Sequence, residues 1–216
     1  MAFVLSTNLG TFCERKESKR SHYLTMQGFF IVIHMREDGK GARIVVLRIG
    51  HRLQRDMRVT THVCLTARAL GAEGVVVADV SDKQLVETVD RVAKEFGGVF
   101  TIETGKSWRS TVAEWKKSGG TVVHLTAYGI PLPKIVRQIQ RSKTDKLVVV
   151  GAEKVPGEIF GLADWNVAVT NQPISEVSAL GIFLDWYFDH LRLEERFPGA
   201  RLEIIPTEHG KRVSKS

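Results

Sequence analysis

The chain has 216 residues, of which 43% are hydrophobic, and no hydrophobic run is long enough to cross a membrane. This composition excludes disordered, collagen-like and membrane-spanning proteins. Its two cysteines, Cys13 and Cys64, and its seven histidines show no metal-ligand spacing, so we expect no metal site, no disulfide framework and a cytoplasmic location. The net charge is +7 with the basic excess confined to residues 1–68 and 196–216, which indicates a polyanionic partner, although a solvated basic surface is equally compatible.

Residues 1–42 fit poorly with the pattern that follows, and we predict that they form an extension. They combine a charge run (ERKESKRS), a lone apolar run (FFIVIHM) and the linker-like REDGKG. The apolar run is short, follows charged residues and lacks a small-residue cleavage site, so it does not resemble a signal peptide. Met26 and Met35 leave open that translation starts within this segment.

From Ile44 onward, apolar strand patterns alternate with helical periods. In chain order, the predicted strands are IVVLRI, GVVVAD, VFTI, TVVHLT, LVVVGA and NVAVT. The predicted helices run from Val59 to Leu70, Asp82 to Phe96, Ser107 to Lys117, onward from Pro131, onward from Pro156, and from Ile174 to Leu191. This alternation predicts an α/β domain over residues 43–195, with a mostly parallel sheet and helices on both faces. Over residues 196–216 we expect an edge strand at RLEIIP and a frayed basic tail.

The last long helix is apolar almost all round. One stripe at helical spacing comprises Val177, Leu180, Leu184, Phe188 and Leu191, and a second comprises Ile182, Phe183, Trp186 and Tyr187. The first stripe suits the core of the domain, and the aromatic one needs another partner. We therefore predict a homodimer through this helix. The alternative is that the carboxyl-terminal segment of the same chain covers the aromatic stripe.

The first strand of the domain is followed by a segment rich in arginine. Dinucleotide-binding oxidoreductases place a G-x-G-x-x-G motif after a strand, usually the first, and that motif is absent here, as is a P-loop. The segment instead carries Arg48, Arg52, Arg55 and Arg58, and His62 follows four residues later on the same helical face. Arginines beside a helix N-terminus suit phosphates or a ribose-phosphate backbone, although such clusters also occur on solvated surfaces.

Two later strands end in polar loops, which is where parallel sheets bind ligands. In the first loop, Gly151 allows a ligand to approach the backbone closely, and Glu153 and Lys154 either contact that ligand or RNA or pair on the surface. In the second loop, Asn171 and Gln172 each donate and accept hydrogen bonds, which suits an adenine edge. Ser175 and Glu176 in that loop fit either a ligand site or the start of a helix.

These motifs resemble those of the archaeal tRNA (cytidine-56) 2′-O-methyltransferases, members of the SPOUT superfamily. The matching cofactor motifs are GAEKVP, ADWNVAV and NQPISEVSAL, beginning at Gly151, Ala163 and Asn171. The arginine segment, LRIGHR continuing into RDMRVTTHV and TARA, resembles the first motif of the family, and HLTAYG resembles another. The resemblance covers residues 44 to 213 and leaves out the extension.

The resemblance implies a SPOUT-type sheet whose carboxyl-terminal part forms a trefoil knot, and a homodimer that binds S-adenosylmethionine. It implies that the methyl acceptor is the ribose 2′-hydroxyl of cytidine 56 in the TψC loop of tRNA. Positions that match the cofactor pocket are Leu125, Gly151, Ala152, Glu153, Lys154, Val155, Val169, Thr170, Asn171, Gln172, Pro173, Ile174, Ser175 and Glu176. Two of them depart from the family pattern, because Thr170 stands in place of glycine and Ile174 in place of histidine.

A ribose 2′-hydroxyl is a poor nucleophile, so the enzyme must assist removal of its proton. The related bacterial enzymes use an arginine whose aligned position here is Leu65, so the functional arginine must come from elsewhere. We predict that one of the four segment arginines anchors the phosphate beside the reacting ribose, with Arg58 or His62 nearest the proton. The alternatives are a SPOUT enzyme acting on another ribose or a base, and a non-catalytic RNA-binding dimer.

Overall fold

The structure is a computed structural model, and it describes residues 22–26, 29–33, 42–152 and 155–215. The chain divides after Gly41 into two units. In the first unit, strands β1 (His22–Met26) and β2 (Phe29–Ile33) pair antiparallel. Much of the predicted extension over residues 1–42 lies outside the described residues, and its assignment stays a prediction.

The second unit is built on a six-stranded parallel sheet with the order β5-β4-β3-β7-β6-β8. The strands are β3 (Ile44–Ile49), β4 (Gly74–Val77), β5 (Thr101–Thr104), β6 (Thr121–Pro131), β7 (Lys146–Gly151) and β8 (Trp165–Ala168). The central strands are buried on both faces, which explains why they are continuous apolar runs in the sequence. The predicted parallel sheet is confirmed.

Helices cover both faces of this sheet, as predicted. They are α1 (Met57–Ala69), α2 (Lys83–Phe96), α3 (Trp108–Lys117), α4 (Leu132–Arg141), α5 (Glu158–Leu162) and α6 (Glu176–Tyr187). Alternate strand residues such as Val46 and Val148 pack in one core with α1, α2, α4 and α6. Their neighbours Leu47 and Val149 pack in a second core with α3 and α5. Alternation of side chains across a strand therefore divides the helices between the faces.

The carboxyl-terminal segment differs from the prediction of an edge strand and a frayed tail. Strand β9 (Leu202–Ile205) pairs antiparallel with β10 (Arg212–Lys215), and among the described strands neither pairs with the six-stranded sheet. The two strands place Val213 opposite Ile204, and Gly210 adopts a φ of 90° in the connection. The basic tail is thus one arm of a hairpin because it has a strand to pair with.

Helix α6 is shorter than predicted, and its two stripes are divided differently. It begins after Ser175, whose side chain accepts a hydrogen bond from the backbone N–H of Val177. Phe183 and Tyr187 belong to the aromatic stripe that was predicted to contact a partner, but they are buried in the core of their own chain. Leu191, assigned to the core stripe, is 77% exposed beyond the end of the helix. Ile182 and Trp186 remain partly exposed, and the homodimer stays a prediction.

Candidate functional site

The arginine segment and the first predicted cofactor loop leave the sheet side by side. Strands β3 and β7 are neighbours, with Ile49 in register with Gly151. The backbone N–H of Ala152 donates to the carbonyl oxygen of Ile49 at 3.1 Å. A Cβ built on Gly50, which has a φ of 81°, would lie 3.5 Å from the Cβ of Ala152. The sheet therefore joins two segments that lie about a hundred residues apart in sequence, at the strand ends where parallel sheets bind ligands.

The first cofactor loop turns back sharply at Gly151. A Cβ built there would lie 2.2 Å from Cγ2 of Val155, so this position requires glycine or a displaced valine. Val155 packs against the core that contains α3 and α5, which anchors the far end of the loop. Glu153 and Lys154 lie outside the described residues, so their predicted ligand contacts stay predictions.

The second cofactor loop contacts an interruption in strand β6. The pairing of β6 with β8 is broken between Leu125 and Ile130. The side-chain amide of Asn171 donates to the carbonyl oxygens of Ala127 at 2.7 Å and Gly129 at 3.2 Å. Both amide hydrogens are thus used to hold this loop, and the predicted contact of Asn171 with an adenine edge stays a prediction. Its carbonyl oxygen is the group left for a ligand.

The other predicted cofactor residues lie along the same ends of β6, β7 and β8. Leu125 is buried, whereas Val169 and Thr170 are half-buried. Gln172, Pro173 and Ile174 are exposed on the loop before α6. Ser175 caps this helix, so the helix-start interpretation of that residue is correct.

Arg48 is fully buried and pairs with Glu176, another residue predicted in the site. The Arg48 Nη2 atom lies 2.9 Å from Oε1 of Glu176, whose side chain is 20% exposed. Nη1 donates to the carbonyl oxygen of Ile49 at 3.3 Å, and Nε has no hydrogen-bond partner. Burial lowers the pKa of Arg48, and the charge of Glu176 partly offsets this effect. Arg48 therefore does not reach solvent, against the expectation that it anchors a phosphate, and instead ties β3 to the start of α6.

Arg52 stabilises the conformation of the arginine segment through its side chain. Its Nε and Nη2 atoms donate to the two carboxylate oxygens of Asp56 at 2.8 and 3.1 Å. These hydrogen bonds hold the pKa of Asp56 below its usual range. The Asp56 side chain therefore closes the loop onto Arg52 instead of capping α1, which begins at the next residue.

The remaining candidates for RNA contact are exposed on or before α1. Arg55 precedes the helix, and Arg58 and His62 lie four residues apart on one of its faces. An arginine fork can bind a phosphate with two hydrogen bonds, and an imidazole can accept a proton. Of the five predicted catalytic residues, Arg48 is thus the one that a large polyanion does not reach, and the Arg52 side chain, although 40% exposed, is bound to Asp56.

One polar residue of the segment was not singled out by sequence reasoning. His51 is buried, with Nδ1 2.9 Å from Oγ1 of Thr60 and Nε2 3.1 Å from Oδ2 of Asp82. Asp82 was recognisable as the start of α2, where its side chain accepts from the N–H of Leu85. No local pattern pairs it with a histidine 31 residues earlier, because that pairing depends on the neighbouring ends of β3 and β4.

The described residues include no group of three or more histidine, cysteine, aspartate or glutamate side chains that could hold a metal ion. Cys64 is buried on α1, and burial raises its pKa to about 12, so it stays an uncharged thiol. Within the same described part of the chain, no helix is both long and apolar enough to span a membrane.

Comparison of the sequence with known proteins identifies the family to which it is related. A family model described as tRNA ribose 2′-O-methyltransferase, aTrm56, matches residues 96–214. A tRNA (cytidine(56)-2′-O)-methyltransferase of Methanocella arvoryzae is 53% identical over 175 residues, which is 80% of this chain and 98% of that protein.

Solved structures share the fold at lower identity. The A. aeolicus TrmH/SpoU tRNA modifying enzyme has a TM-score of 0.50 at 19% identity, over 70% of this chain and 76% of that one. An AdoMet-bound rRNA methyltransferase from Sinorhizobium meliloti has a TM-score of 0.50 at 22% identity, over 70% of this chain and 57% of that one. These matches confirm the predicted SPOUT-type α/β fold. With the family match over more than half of its length, the chain belongs to the aTrm56 family of tRNA ribose 2′-O-methyltransferases.

Proposed function

We propose that this protein transfers a methyl group from S-adenosylmethionine to the ribose 2′-hydroxyl of cytidine 56 in tRNA. Relatives about half identical to it carry this activity in their names. The structural observation that supports the proposal is the junction of β3 and β7, where the arginine segment starts beside the loop at Gly151. A methyl donor and a polyanionic acceptor need such adjacent sites, because transfer requires the two reacting atoms in line.

The loops at the ends of β6, β7 and β8 fit the cofactor. S-adenosylmethionine supplies a methyl group bonded to a positively charged sulfur. At Gly151 the absence of a Cβ allows Val155 to pack against the end of β7, and the Asn171 amide fixes the loop of β6 against the loop of β8. The AdoMet-bound Sinorhizobium enzyme has the same fold, which supports this choice of cofactor. We assign the contacts to Leu125, Gly151, Ala152, Glu153, Lys154, Val155, Val169, Thr170, Asn171, Gln172, Pro173 and Ile174.

The exposed face of α1 supplies the groups for the acceptor. We assign Arg58, with Arg55 beside it, to the phosphate next to the reacting ribose, since a guanidinium binds a phosphate with two hydrogen bonds. His62 lies one turn further along the same face and is positioned to accept the hydroxyl proton. Arg52 acts indirectly by holding Asp56 directly before α1, and Arg48 acts indirectly by tying β3 to the start of α6.

A homodimer completes the proposal. Ile182 and Trp186 are each 39% exposed on α6, which otherwise faces the core of its own chain. We assign this face to contact with a second copy, because exposed aromatic and aliphatic side chains on one helix face are typical of protein interfaces. We place the enzyme in the cytoplasm, where tRNA is modified.

The decisive experiment follows labelled methyl transfer into two matched tRNAs. One is an unmodified transcript, and the other carries 2′-deoxycytidine at position 56, which keeps the base and removes the acceptor hydroxyl. We expect incorporation into the first only, and mass spectrometry should map the label to the ribose of cytidine 56. A labelled base or another labelled ribose would assign a different SPOUT activity. Lack of cofactor binding in calorimetry at millimolar concentration would favour a non-catalytic RNA-binding protein.

A further inference from the structure

Three buried side chains form a hydrogen-bonded cluster beneath the arginine segment. We name it the His51 cluster, and it consists of His51, Thr60 and Asp82, which are 3%, 0% and 5% exposed. The imidazole lies in the middle, with Nδ1 2.9 Å from the Thr60 hydroxyl and Nε2 3.1 Å from the Asp82 carboxylate. The cluster joins the end of β3, the first turn of α1 and the start of α2.

The direction of one hydrogen bond in the cluster follows from its acceptor. A carboxylate only accepts, so Nε2 of His51 donates to Asp82, while Nδ1 of His51 and the hydroxyl of Thr60 share the second hydrogen bond. The other oxygen of Asp82 accepts from the N–H of Leu85 at 2.9 Å, which fixes the carboxylate on α2. Every polar atom that points into the cluster thus has a partner, and the imidazole is held in one orientation.

The cluster holds the arginine segment at both of its ends. His51 directly follows Gly50, whose φ of 81° turns the chain away from β3. Thr60 lies two residues after Arg58 in the first turn of α1. We propose that His51 is a positioning residue, which holds Arg58 and His62 in place for the tRNA by tying this segment to α2. The inference rests on the proposed function, because it concerns the acceptor half of the same site.

Two substitutions test whether the hydrogen bonds of His51, and not only the volume of its ring, position the arginine segment. His51→Phe keeps a buried ring and removes both nitrogens, and we expect kcat/KM for tRNA to fall by about 10- to 100-fold, since small displacements of catalytic groups have effects of this size. Binding of S-adenosylmethionine, measured by calorimetry, should stay within about twofold, because the hydrogen bonds of the cluster join His51, Thr60, Asp82 and Leu85 and do not go to the described residues of the cofactor loops. Asp82→Asn can still accept from Leu85 and donate to His51 with the ring tautomer reversed, so it should keep kcat/KM for tRNA within about threefold.

Val89→Ala is the matched control, since it removes buried packing from α2 without touching the cluster. It should lower stability but leave kcat/KM for tRNA within about twofold of the wild-type value at a temperature where both proteins are folded. Amide hydrogen exchange over residues 50–58 should speed up by about tenfold in His51→Phe and stay unchanged in Val89→Ala.

Each result decides the inference. Unchanged tRNA kinetics in His51→Phe, equal losses for tRNA and cofactor, or an Asp82→Asn protein as impaired as His51→Phe would overturn it. If the wild-type protein fails to methylate tRNA, the proposed function fails. The exchange rates over residues 50–58 then decide by themselves whether His51 holds the segment.

Discussion

The most consequential single residue in the buried part of the site is Arg48. Its guanidinium has no access to water and is neutralised by Glu176, whereas Glu176 itself is partly exposed. Removing the carboxylate leaves a charge buried without compensation, which is far more costly than leaving a carboxylate that water can reach. The pair is therefore asymmetric, and its two halves should respond differently to substitution.

We expect Glu176→Gln to destabilise the protein by about 3 kcal/mol, because the Arg48 charge is then left buried without a compensating negative charge. Arg48→Met should cost about 1–2 kcal/mol, since it removes the charge and fills similar space. Adding Arg48→Met to Glu176→Gln should restore part of the lost stability in urea unfolding. Additive losses in this double-mutant cycle would show that the ion pair is not coupled.

His124 makes the stability of the fold depend on pH. Burial lowers its pKa, and the hydrogen bond to Oδ1 of Asn166, at 2.9 Å, only partly offsets this effect. In the unfolded chain the histidine pKa is about 6.5, so below that pH the unfolded chain takes up a proton that the folded chain does not. The free energy of unfolding should therefore decrease as the pH falls below about 6.5, towards the lower pKa of the folded state.

The variant His124→Asn tests this linkage, because it keeps a donor near the Nδ1 position and does not titrate. We expect the unfolding free energy of the wild-type protein to fall more between about pH 7 and pH 5 than that of the variant, by up to about 1.4 kcal/mol for each unit of pKa shift. The other histidines are shared by both proteins and cancel in the difference. Parallel curves would contradict the assignment.

At the scale of elements, the interruption of β6 is the feature that shapes the cofactor side. Its pairing with β8 stops at Leu125 and resumes at Ile130. A Cβ built on Gly129 would lie 2.5 Å from backbone atoms of Val167, so no larger residue fits without moving β8. The Asn171 amide then fixes the loop from the other side. The loop within β6 is thus fixed by its close packing against β8 at Gly129 and by two hydrogen bonds from Asn171.

Gly129→Ala should destabilise the protein by about 1–3 kcal/mol, the usual cost of overpacking against backbone. It should also weaken S-adenosylmethionine binding by about tenfold, because the loops of β6 and β8 would move apart. Gly161→Ala is the control, since a Cβ in this α5 position meets no atom within 4 Å. We expect the control to be neutral or stabilising by up to about 1 kcal/mol in thermal unfolding. Equal effects of the two substitutions would argue against the steric requirement.

At the scale of the whole molecule, the proposed homodimer concerns the apolar residues that α6 leaves exposed. The sequence assigned four residues of α6 to an interface, and the fold buries two of them, Phe183 and Tyr187, in its own core. The remaining face consists of Ile182 and Trp186. The trefoil knot implied by the family resemblance stays a prediction.

Trp186→Lys should convert the proposed dimer to a monomer at micromolar concentration in sedimentation velocity, because a lysine charge is costly in an apolar interface. Val99→Lys is the matched control, since Val99 is 70% exposed and precedes β5, an edge strand of the sheet with which α6 does not pack. It should leave the oligomeric state unchanged. A wild-type protein that sediments as a monomer would remove the dimer from the proposal.

The local sequence was sufficient for the strands of the parallel sheet and for most of the helices. Apolar periodicity depends on neighbouring residues only, so β3 is recognisable from IVVLRI and α2 from its start at Asp82. Polar loops after β7 and β8 marked the ligand side, because parallel strands all point the same way. The hairpin of β9 and β10 was missed because a four-residue strand with few apolar residues becomes recognisable only beside its partner.

What only the tertiary structure decided is the partner of each polar side chain. As a sequence, the segment from Arg48 to Arg58 is a row of equivalent arginines, but the fold buries Arg48 against Glu176, pairs Arg52 with Asp56 and leaves Arg58 exposed. The physical reason is that burial and ion pairing depend on which strands become neighbours. Strand β7 lies beside β3 in the sheet although about a hundred residues separate them in the chain. Sequence alone therefore determined the family and the parallel α/β fold, and the tertiary structure decided which arginines are buried, paired or exposed.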